Sequence, residues 1–297
     1  MNSSTLSKEI WPNFLVVGAA KSGTTSLLRY LEGTQGVYMS ERGSNYFSST
    51  SFVHNLRLPV VREKEKYLEL FSGVTDEKAI GEVCTSYLYS PEANIRIKQE
   101  IPNARIIMIL RDPIQRAYSH YLMNVGVGTQ TLPFYEALQK DYYSKDKPFG
   151  IAFLYVDQGL YARQLERYIG TFGRENVKVL IFEEFIKDTR SAVKDVLNFL
   201  DVNANPPENI QKEYNTFFIP KSKISKLIIG NKIIRRISQI VPETKLKSDI
   251  RKAVAGESIK KPPVSDKAKS FLEEIFRDDV KALETILGRT LPWSISK

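Results

Sequence analysis

The chain has 297 residues, of which 42 % are apolar and 26 % charged, and this ordinary globular composition excludes a disordered or collagen-like protein. A single cysteine cannot form an intramolecular disulfide, and with only two histidines the chain has too few soft ligands for a structural zinc site. The formal net charge of +9 indicates an anionic partner.

The predicted elements alternate between strands and helices along most of the chain. Short apolar runs rich in β-branched residues predict buried strands, and helical spacing or capping residues predict the helices between them. Strands are predicted at 14–20, 79–83, 104–110 and 177–182, and helices at 26–31, 91–101, 114–123, 160–172, 184–200 and 265–287. This alternation predicts an α/β fold in three layers, with a central, mostly parallel sheet and helices on both faces.

The chain is predicted to form one domain over residues 1–297, since it has neither an internal repeat nor a low-complexity linker. Residues 125–158 are polar and contain several glycines and prolines, so they are predicted to be an irregular insertion. No apolar run is long enough to span a bilayer, and the first residues lack a secretory signal. We therefore expect a soluble, cytoplasmic protein without a membrane span.

The loop after the first predicted strand, residues 18–26, has the composition of an anion-binding site. Because it joins a strand to a helix, backbone N–H groups and a helix N-terminus converge there. Lys21 adds a positive charge, and Ser22, Thr24, Thr25 and Ser26 add hydroxyl donors.

This loop departs from the pattern that binds nucleoside triphosphates. Gly18 and Gly23 have the required spacing, but Thr24 stands where that pattern has lysine. No carboxylate follows a strand in a position suited to magnesium. The loop therefore predicts an anion that needs no metal, and a phosphotransferase is a weakened alternative.

A second anion site is predicted where the strand 104–110 ends at Arg111. A guanidinium offers paired, permanently charged donors to a phosphate, and the following helix carries Ser119. Residues 21–26 and 104–121 closely resemble the two cofactor motifs of sulfotransferases that use 3′-phosphoadenosine 5′-phosphosulfate (PAPS). Softer matches extend this resemblance over roughly residues 12–225.

The resemblance implies a P-loop-like fold, PAPS as the donor, its desulfated form PAP as the product, and no required metal. It assigns the 5′-phosphosulfate to the loop, through Lys21, Ser22, Gly23, Thr24, Thr25 and Ser26. It assigns the 3′-phosphate to Arg111 and Ser119, and adds Lys221 and Ser222 to the cofactor site. Lys21 is the implied catalytic group, because it can stabilise charge on the leaving oxygen.

The general base is less clear from the sequence. Glycan-type relatives carry a glutamate shortly before an aromatic pair, but here that position is Gly43. Three substitutes are open: Glu82 at the tip of a predicted strand, His54 with a suitable intrinsic pKa, and Asp157 on a loop that could reach the site. His120 is a poorer candidate, since on a helix its side chain points about 100° away from that of the preceding serine.

Most of the excess positive charge lies in residues 221–252, which contain ten basic and two acidic residues. Its basic residues alternate with isoleucine and leucine rather than aromatic residues, and no nucleic-acid-binding motif accompanies them, so nucleic acid is not expected. The stretch is the solvated back of amphipathic helices, a surface for an anion, or both. Residues 125–158 and 221–262 are predicted to shape the acceptor pocket.

The leading hypothesis is a sulfotransferase that moves the sulfuryl group of PAPS to a hydroxyl or nitrogen of a small-molecule acceptor. A specialised metabolite is one candidate acceptor, which would make the reaction a natural-product tailoring step. The alternatives are a saccharide sulfotransferase and a catalytically impaired protein that only binds PAP or PAPS. The acceptor and the oligomeric state are not encoded in any motif found here.

Overall fold

The structure is a computed structural model that describes residues 9–41, 43–48, 60–126, 128–145, 147, 151–208, 210, 218–220, 255–258 and 262–296. His54, Lys221, Ser222 and the basic stretch 221–252 lie outside these described residues. Within them, no helix combines the length and apolarity needed to cross a membrane. The assignment of residues 1–297 to one domain stays a prediction.

Seven strands and ten helices are formed within the described residues. The strands are β1 Phe14–Gly18, β2 Val37–Met39, β3 Ala79–Val83, β4 Arg105–Leu110, β5 Val177–Ile181, β6 Phe218–Pro220 and β7 Ala255–Ser258. The helices are α1 Thr24–Glu32, α2 Lys64–Leu68, α3 Ser86–Tyr89, α4 Ala93–Glu100, α5 Pro113–Gly126, α6 Phe134–Tyr143, α7 Tyr161–Phe172, α8 Phe182–Lys187, α9 Thr189–Phe199 and α10 Asp266–Leu287.

Five strands form one parallel sheet in the order β2-β3-β1-β4-β5, and β6 pairs separately with β7 in an antiparallel ladder. In the sheet, Phe14 of β1 lies opposite Gly81 of β3 and Arg105 of β4. The carboxyl ends of β1, β3 and β4 therefore meet at one edge, around the point where strand order reverses, which is where open α/β sheets bind ligands. The predicted parallel α/β fold is confirmed.

Alternate residues of the strands face two different layers of helices. On β1, Phe14 and Val16 pack in a cluster with residues of α1 and α9. Leu15 and Val17 belong to the other cluster, with residues of α7 and α10. Because both faces are covered, the strand is apolar at every position rather than at every second one.

The prediction that residues 125–158 are irregular is wrong for part of the segment. Helix α6 follows Pro133, and Phe134, Ala137 and Leu138 are buried at the i, i+3, i+4 spacing of a helix face. Tyr155 is also part of the main core. The glycines and prolines on either side obscured this periodicity, so the segment is partly framework.

The last helix, α10, fixes the position of α7 and of the strand end beside it. The predicted N-cap at Ser265 is confirmed, since its side chain accepts a hydrogen bond from Ala268 N. Asp279 accepts a hydrogen bond from the backbone N–H of Tyr161, at 2.7 Å, in the first turn of α7. The Tyr161 hydroxyl then donates to the carbonyl of Arg111 at 3.0 Å. The packing of α10 against α7 thus supports the chain at Arg111, directly after β4.

Candidate active site

The loop between β1 and α1 has a tightly constrained backbone. Lys21 and Gly23 both adopt positive φ angles, 71° and 87°. A Cβ on Gly23 would lie 3.0 Å from the Phe182 ring, so both the backbone conformation and the space require glycine there. Helix α1 begins at the next residue without a side-chain cap, which leaves its N-terminal dipole directed at the loop.

Arg111 connects this loop to the end of β4. Its Nη1 donates a hydrogen bond to the carbonyl of Lys21 at 3.0 Å, and its guanidinium lies 4.6 Å from the centre of the Phe182 ring. Burial lowers the pKa of Arg111 from its usual value. The structure therefore brings together the two predicted anion sites, which are far apart in sequence.

Asp112 caps the helix that carries Ser119. Its Oδ1 accepts hydrogen bonds from Ile114 N at 2.9 Å and Gln115 N at 3.0 Å, in the first turn of α5. Asp112 thus has a structural role of its own beside Arg111. Ser119 lies two turns further along α5 and is partly exposed.

A cavity of about 540 Å³ opens beside the β1–α1 loop. The loop and α1 form one wall, the segment around Gly43 and the end of β3 form another, and α5 with residues 151–158 completes it. Its lining residues are Ala20, Lys21, Gly23, Thr24, Thr25, Leu28, Gly43, Asn45, Val83, Cys84, Thr85, Ser86, His120, Met123, Asn124, Ile151, Ala152 and Gln158.

Helix α5 presents one face to this cavity. His120, Met123 and Asn124 have i, i+3, i+4 spacing and all line the cavity, although His120 was the poorer candidate from the sequence. Lys21 Nζ lies 3.7 Å from Met123 Sδ. Helical spacing counted forward from Ser119 would have identified this face. The side chain of the next residue points about 100° away from Ser119, the predicted phosphate contact, and so into the cavity beside it.

The imidazole of His120 is neutral. Burial, together with the nearby charges of Arg116 and Lys21, lowers its pKa well below the usual value. Its Nδ1 lies 3.5 Å from Arg116 Nη1, and the ring is also hydrogen-bonded to the backbone of Ala152. The ring therefore forms a fixed, uncharged part of the wall.

Glu82 does not occupy the position predicted for a general base. The residue is 0 % exposed, and its carboxylate accepts hydrogen bonds from Ser44 N at 2.6 Å, Ser44 Oγ at 2.7 Å, and the hydroxyls of Tyr67 and Tyr87, each at 3.0 Å. Burial raises its pKa. Glu82 is absent from the cavity lining because Ser44 covers the strand tip, so this carboxylate holds the segment around Gly43 in place.

Gly43 allows a close approach between that segment and β3. A Cβ on Gly43 would lie only 2.6 Å from the carbonyl oxygen of Val83. A glutamate side chain at this position, as in glycan-type relatives, would require the two segments to separate. Gly43 itself lines the cavity.

Asp157 is also held away from the cavity. Its carboxylate accepts a hydrogen bond from the Tyr89 hydroxyl at 3.3 Å and forms an ion pair with Lys147 at 3.3 Å. Among the described residues, the cavity has no carboxylate in its lining. His54 therefore stays a prediction for the base, as do Lys221 and Ser222 for the cofactor site.

The residues present fit a phosphosulfate nucleotide. Ser22 is 0 % exposed, and its Oγ has no hydrogen-bond partner among the described residues. The same holds for the buried Nε of Arg111 within the described part of the chain. Buried donors are normally paired, so these two donors at the two predicted anion sites are consistent with ligand contacts there.

Comparison with known proteins agrees with this geometry. The sequence model of the family described as "Sulfotransferase domain" matches residues 12–284. A solved structure, the sulfotransferase from Alicyclobacillus acidocaldarius, is 30 % identical, with a TM-score of 0.70 covering 95 % of this chain and 98 % of that one.

Curated relatives are longer proteins. The bifunctional heparan sulfate N-deacetylase/N-sulfotransferase 4 of Mus musculus is 25 % identical over 95 % of this chain, which spans 31 % of that protein. The heparan sulfate glucosamine 3-O-sulfotransferase 6 of Homo sapiens is 27 % identical over 64 % of this chain and 52 % of its own length. The chain thus spans about a third to a half of these two relatives.

Proposed function

This chain belongs to the sulfotransferase domain family, and on that premise we propose that it transfers a sulfuryl group to a hydroxyl or nitrogen of a small-molecule acceptor. It is a PAPS-dependent sulfotransferase domain. The proposal concerns the acceptor and the roles of individual residues. The observation that supports it is the hydrogen bond from Arg111 to Lys21 O, which joins the two predicted anion sites beside one cavity.

Each anion site has a separate task in this proposal. Arg111 and Ser119 hold the 3′-phosphate, which distinguishes the donor from ATP. The backbone N–H groups of the β1–α1 loop, with the hydroxyls of Ser22 and Thr24, hold the 5′-phosphosulfate. Lys21 itself has a positive φ, and it lines the cavity. In this proposal its charge therefore lies at the phosphosulfate end of the donor.

When bound, PAPS supplies a sulfuryl group joined to the nucleotide through a bridging oxygen of the 5′-phosphate. The ammonium of Lys21 and the loop N–H groups stabilise negative charge that develops on that oxygen as its bond to sulfur breaks. The Thr25 hydroxyl adds a donor on the same side. The acceptor lies in the cavity, between this wall and the end of β3, and His54 is our proposal for the group that takes its proton.

The test is a calorimetric titration with adenosine 3′,5′-bisphosphate (PAP) in metal-free buffer, with ATP and magnesium as the comparison. We expect the bisphosphate to bind far more tightly, because only it fills both anion sites. A preference for ATP with magnesium would instead support a phosphotransferase. Turnover of sulfur-labelled PAPS with an acceptor then separates an enzyme from a protein that only retains the nucleotide.

A further inference from the structure

The cavity wall opposite the β1–α1 loop contains a small polar cluster that the cofactor motifs do not use. It consists of Asn45, Cys84 and Ser86, all of which line the cavity. Cys84 and Ser86 follow β3, and Asn45 lies on the segment that Glu82 holds through Ser44. The cluster therefore lines the same cavity as the β1–α1 loop.

Hydrogen bonds fix the orientation of the Asn45 side chain. Its Oδ1 accepts from Ser86 Oγ at 2.7 Å and from Cys84 Sγ at 3.5 Å. Ser86 Oγ is in turn 2.6 Å from Ser48 Oγ, which anchors the hydroxyl from behind. Asn45 adopts a positive φ of 57°, a conformation that asparagine tolerates better than most residues.

The other arm of the same amide is left without a partner. Asn45 is 2 % exposed, and within the described residues its Nδ2 has no hydrogen-bond acceptor. A buried amide N–H that no protein group satisfies is costly unless a ligand supplies the acceptor. Because Asn45 lines the cavity, a molecule bound there is within reach of this N–H.

The charges around the cavity restrict what this molecule can be. Burial raises the pKa of the Cys84 thiol to about 12, so it is uncharged, and His120 is neutral as described above. Within the described lining, the only charged side chain is Lys21, which the donor's phosphosulfate occupies in the proposed function. A carboxylate or sulfate on the acceptor would lose its hydration without gaining a charged partner among the described residues of this wall.

We propose that Asn45, Cys84 and Ser86 form an acceptor subsite for an uncharged compound that carries a second oxygen beside its reacting hydroxyl. This second oxygen accepts a hydrogen bond from Asn45 Nδ2, which orients the reacting hydroxyl toward the Lys21 wall. The inference rests on the proposed function, since it takes the loop wall as the donor's side. Asn45 is a positioning residue in this arrangement.

Two matched sugars test the subsite: methyl β-D-glucopyranoside, which is uncharged, and methyl β-D-glucuronide, which differs by one carboxylate. Binding of each to the PAP-loaded protein is measured by saturation-transfer NMR titration. We expect the glucopyranoside to bind more tightly than the glucuronide. The Asn45→Ala variant should lose about five- to tenfold in affinity for the glucopyranoside, the effect of one hydrogen bond.

Two further variants separate positioning from general damage. Asn45→Asp keeps the shape but loses the donor, so it should lose as much affinity as Asn45→Ala. Asn94→Ala removes a buried asparagine that donates to Thr171 Oγ1 at 2.7 Å outside the cavity lining, and it should leave sugar binding unchanged. PAP affinity should be the same in all four proteins.

Several results would overturn the subsite. These are equal or tighter binding of the glucuronide, no binding of either sugar to PAP-loaded protein, full affinity in Asn45→Asp, or equal losses in Asn45→Ala and Asn94→Ala. Failure of the unmodified protein to bind PAP is a separate outcome. It would remove the proposed function, whereas the other results would leave that function intact.

Discussion

Replacing Arg111 by alanine tests the central contact of the site. The structure shows one role of this side chain and our proposal adds a second, and a single measurement would mix the two. It donates to the carbonyl of Lys21 at 3.0 Å and so supports the loop, and its buried Nε has no partner within the described residues, which leaves a donor for the 3′-phosphate. The two roles have different consequences for nucleotides with and without that phosphate.

The magnitude of each loss follows from the type of hydrogen bond. A charge-assisted bond from a guanidinium to phosphate contributes about 1.5–3 kcal/mol, which is about 10- to 150-fold in affinity. The bond to Lys21 O is also charge-assisted and contributes a similar amount, but its loss weakens every nucleotide that uses the loop to the same extent. We therefore expect Arg111→Ala to weaken PAP binding about tenfold or more beyond its effect on adenosine 5′-monophosphate (AMP).

The assay is calorimetric titration of both nucleotides into the unmodified protein, Arg111→Ala and a matched control. Arg174→Ala is that control, because Arg174 also donates to a backbone carbonyl, that of Val177 at 2.8 Å, but at the opposite end of the sheet. The control should bind both nucleotides normally. Equal losses of PAP and AMP affinity in Arg111→Ala would refute the assignment of this arginine to the 3′-phosphate.

Three other changes give separate expectations. Lys21→Ala should lower kcat about 100-fold or more while PAP affinity changes little, because the charge of Lys21 acts mainly in the transition state. Exposed Lys187→Ala is the control, and unchanged turnover of Lys21→Ala in steady-state kinetics would remove Lys21 from the mechanism. Burial raises the pKa of Asp279 from 3.8 to about 6, so the folded protein binds a proton at this carboxylate more tightly than the unfolded chain does. The free energy of unfolding therefore falls as pH rises between about 4 and about 6. Asp279→Asn should flatten that part of the melting-temperature profile, and an unchanged profile would contradict the assignment. Gly43→Ala should destabilise the protein by about 1–3 kcal/mol in denaturant unfolding, because its Cβ would meet backbone at 2.6 Å. Gly170→Ala, on an open helix surface, should instead stabilise it by about 0.5–1 kcal/mol, and the opposite order would refute the packing argument.

The sequence predicted the central elements of the fold but not the short ones. Strand β1 and residues 106–110 of β4 are buried and carry no polar side chain, because both faces of the sheet are covered, and this gives a clear signal. Strand β2 has only three residues, Val37–Met39, which is too short for periodicity to reveal. Helix α6 was hidden by its flanking prolines and glycines, although its apolar spacing is regular.

The proximity of the β1–α1 loop to Arg111 was predictable because most of it is encoded locally. In residues 18–26 a strand, a loop and a helix N-terminus follow each other directly, and Arg111 ends the neighbouring strand. To bring Arg111 within 3.0 Å of Lys21 O, the fold needs only the parallel pairing of β1 with β4 in addition. A motif within one stretch of chain therefore already contains the geometry that an anion needs.

The acceptor side is assembled from separate segments, and that explains where prediction failed. Glu82 at a strand tip was a reasonable base from the sequence, but Ser44, from a segment far away in the chain, covers it with two hydrogen bonds. The same cover places Asn45 in the cavity wall, with its amide oriented by Ser86. Both effects depend on how residues 43–48 pack against β3 and the start of α3, and Gly43 permits that packing. Because Ser44 covers Glu82, this carboxylate supports the cavity wall that contains Asn45 and is no longer open to a substrate. The chemistry of the predicted acceptor side therefore follows from packing rather than from any motif.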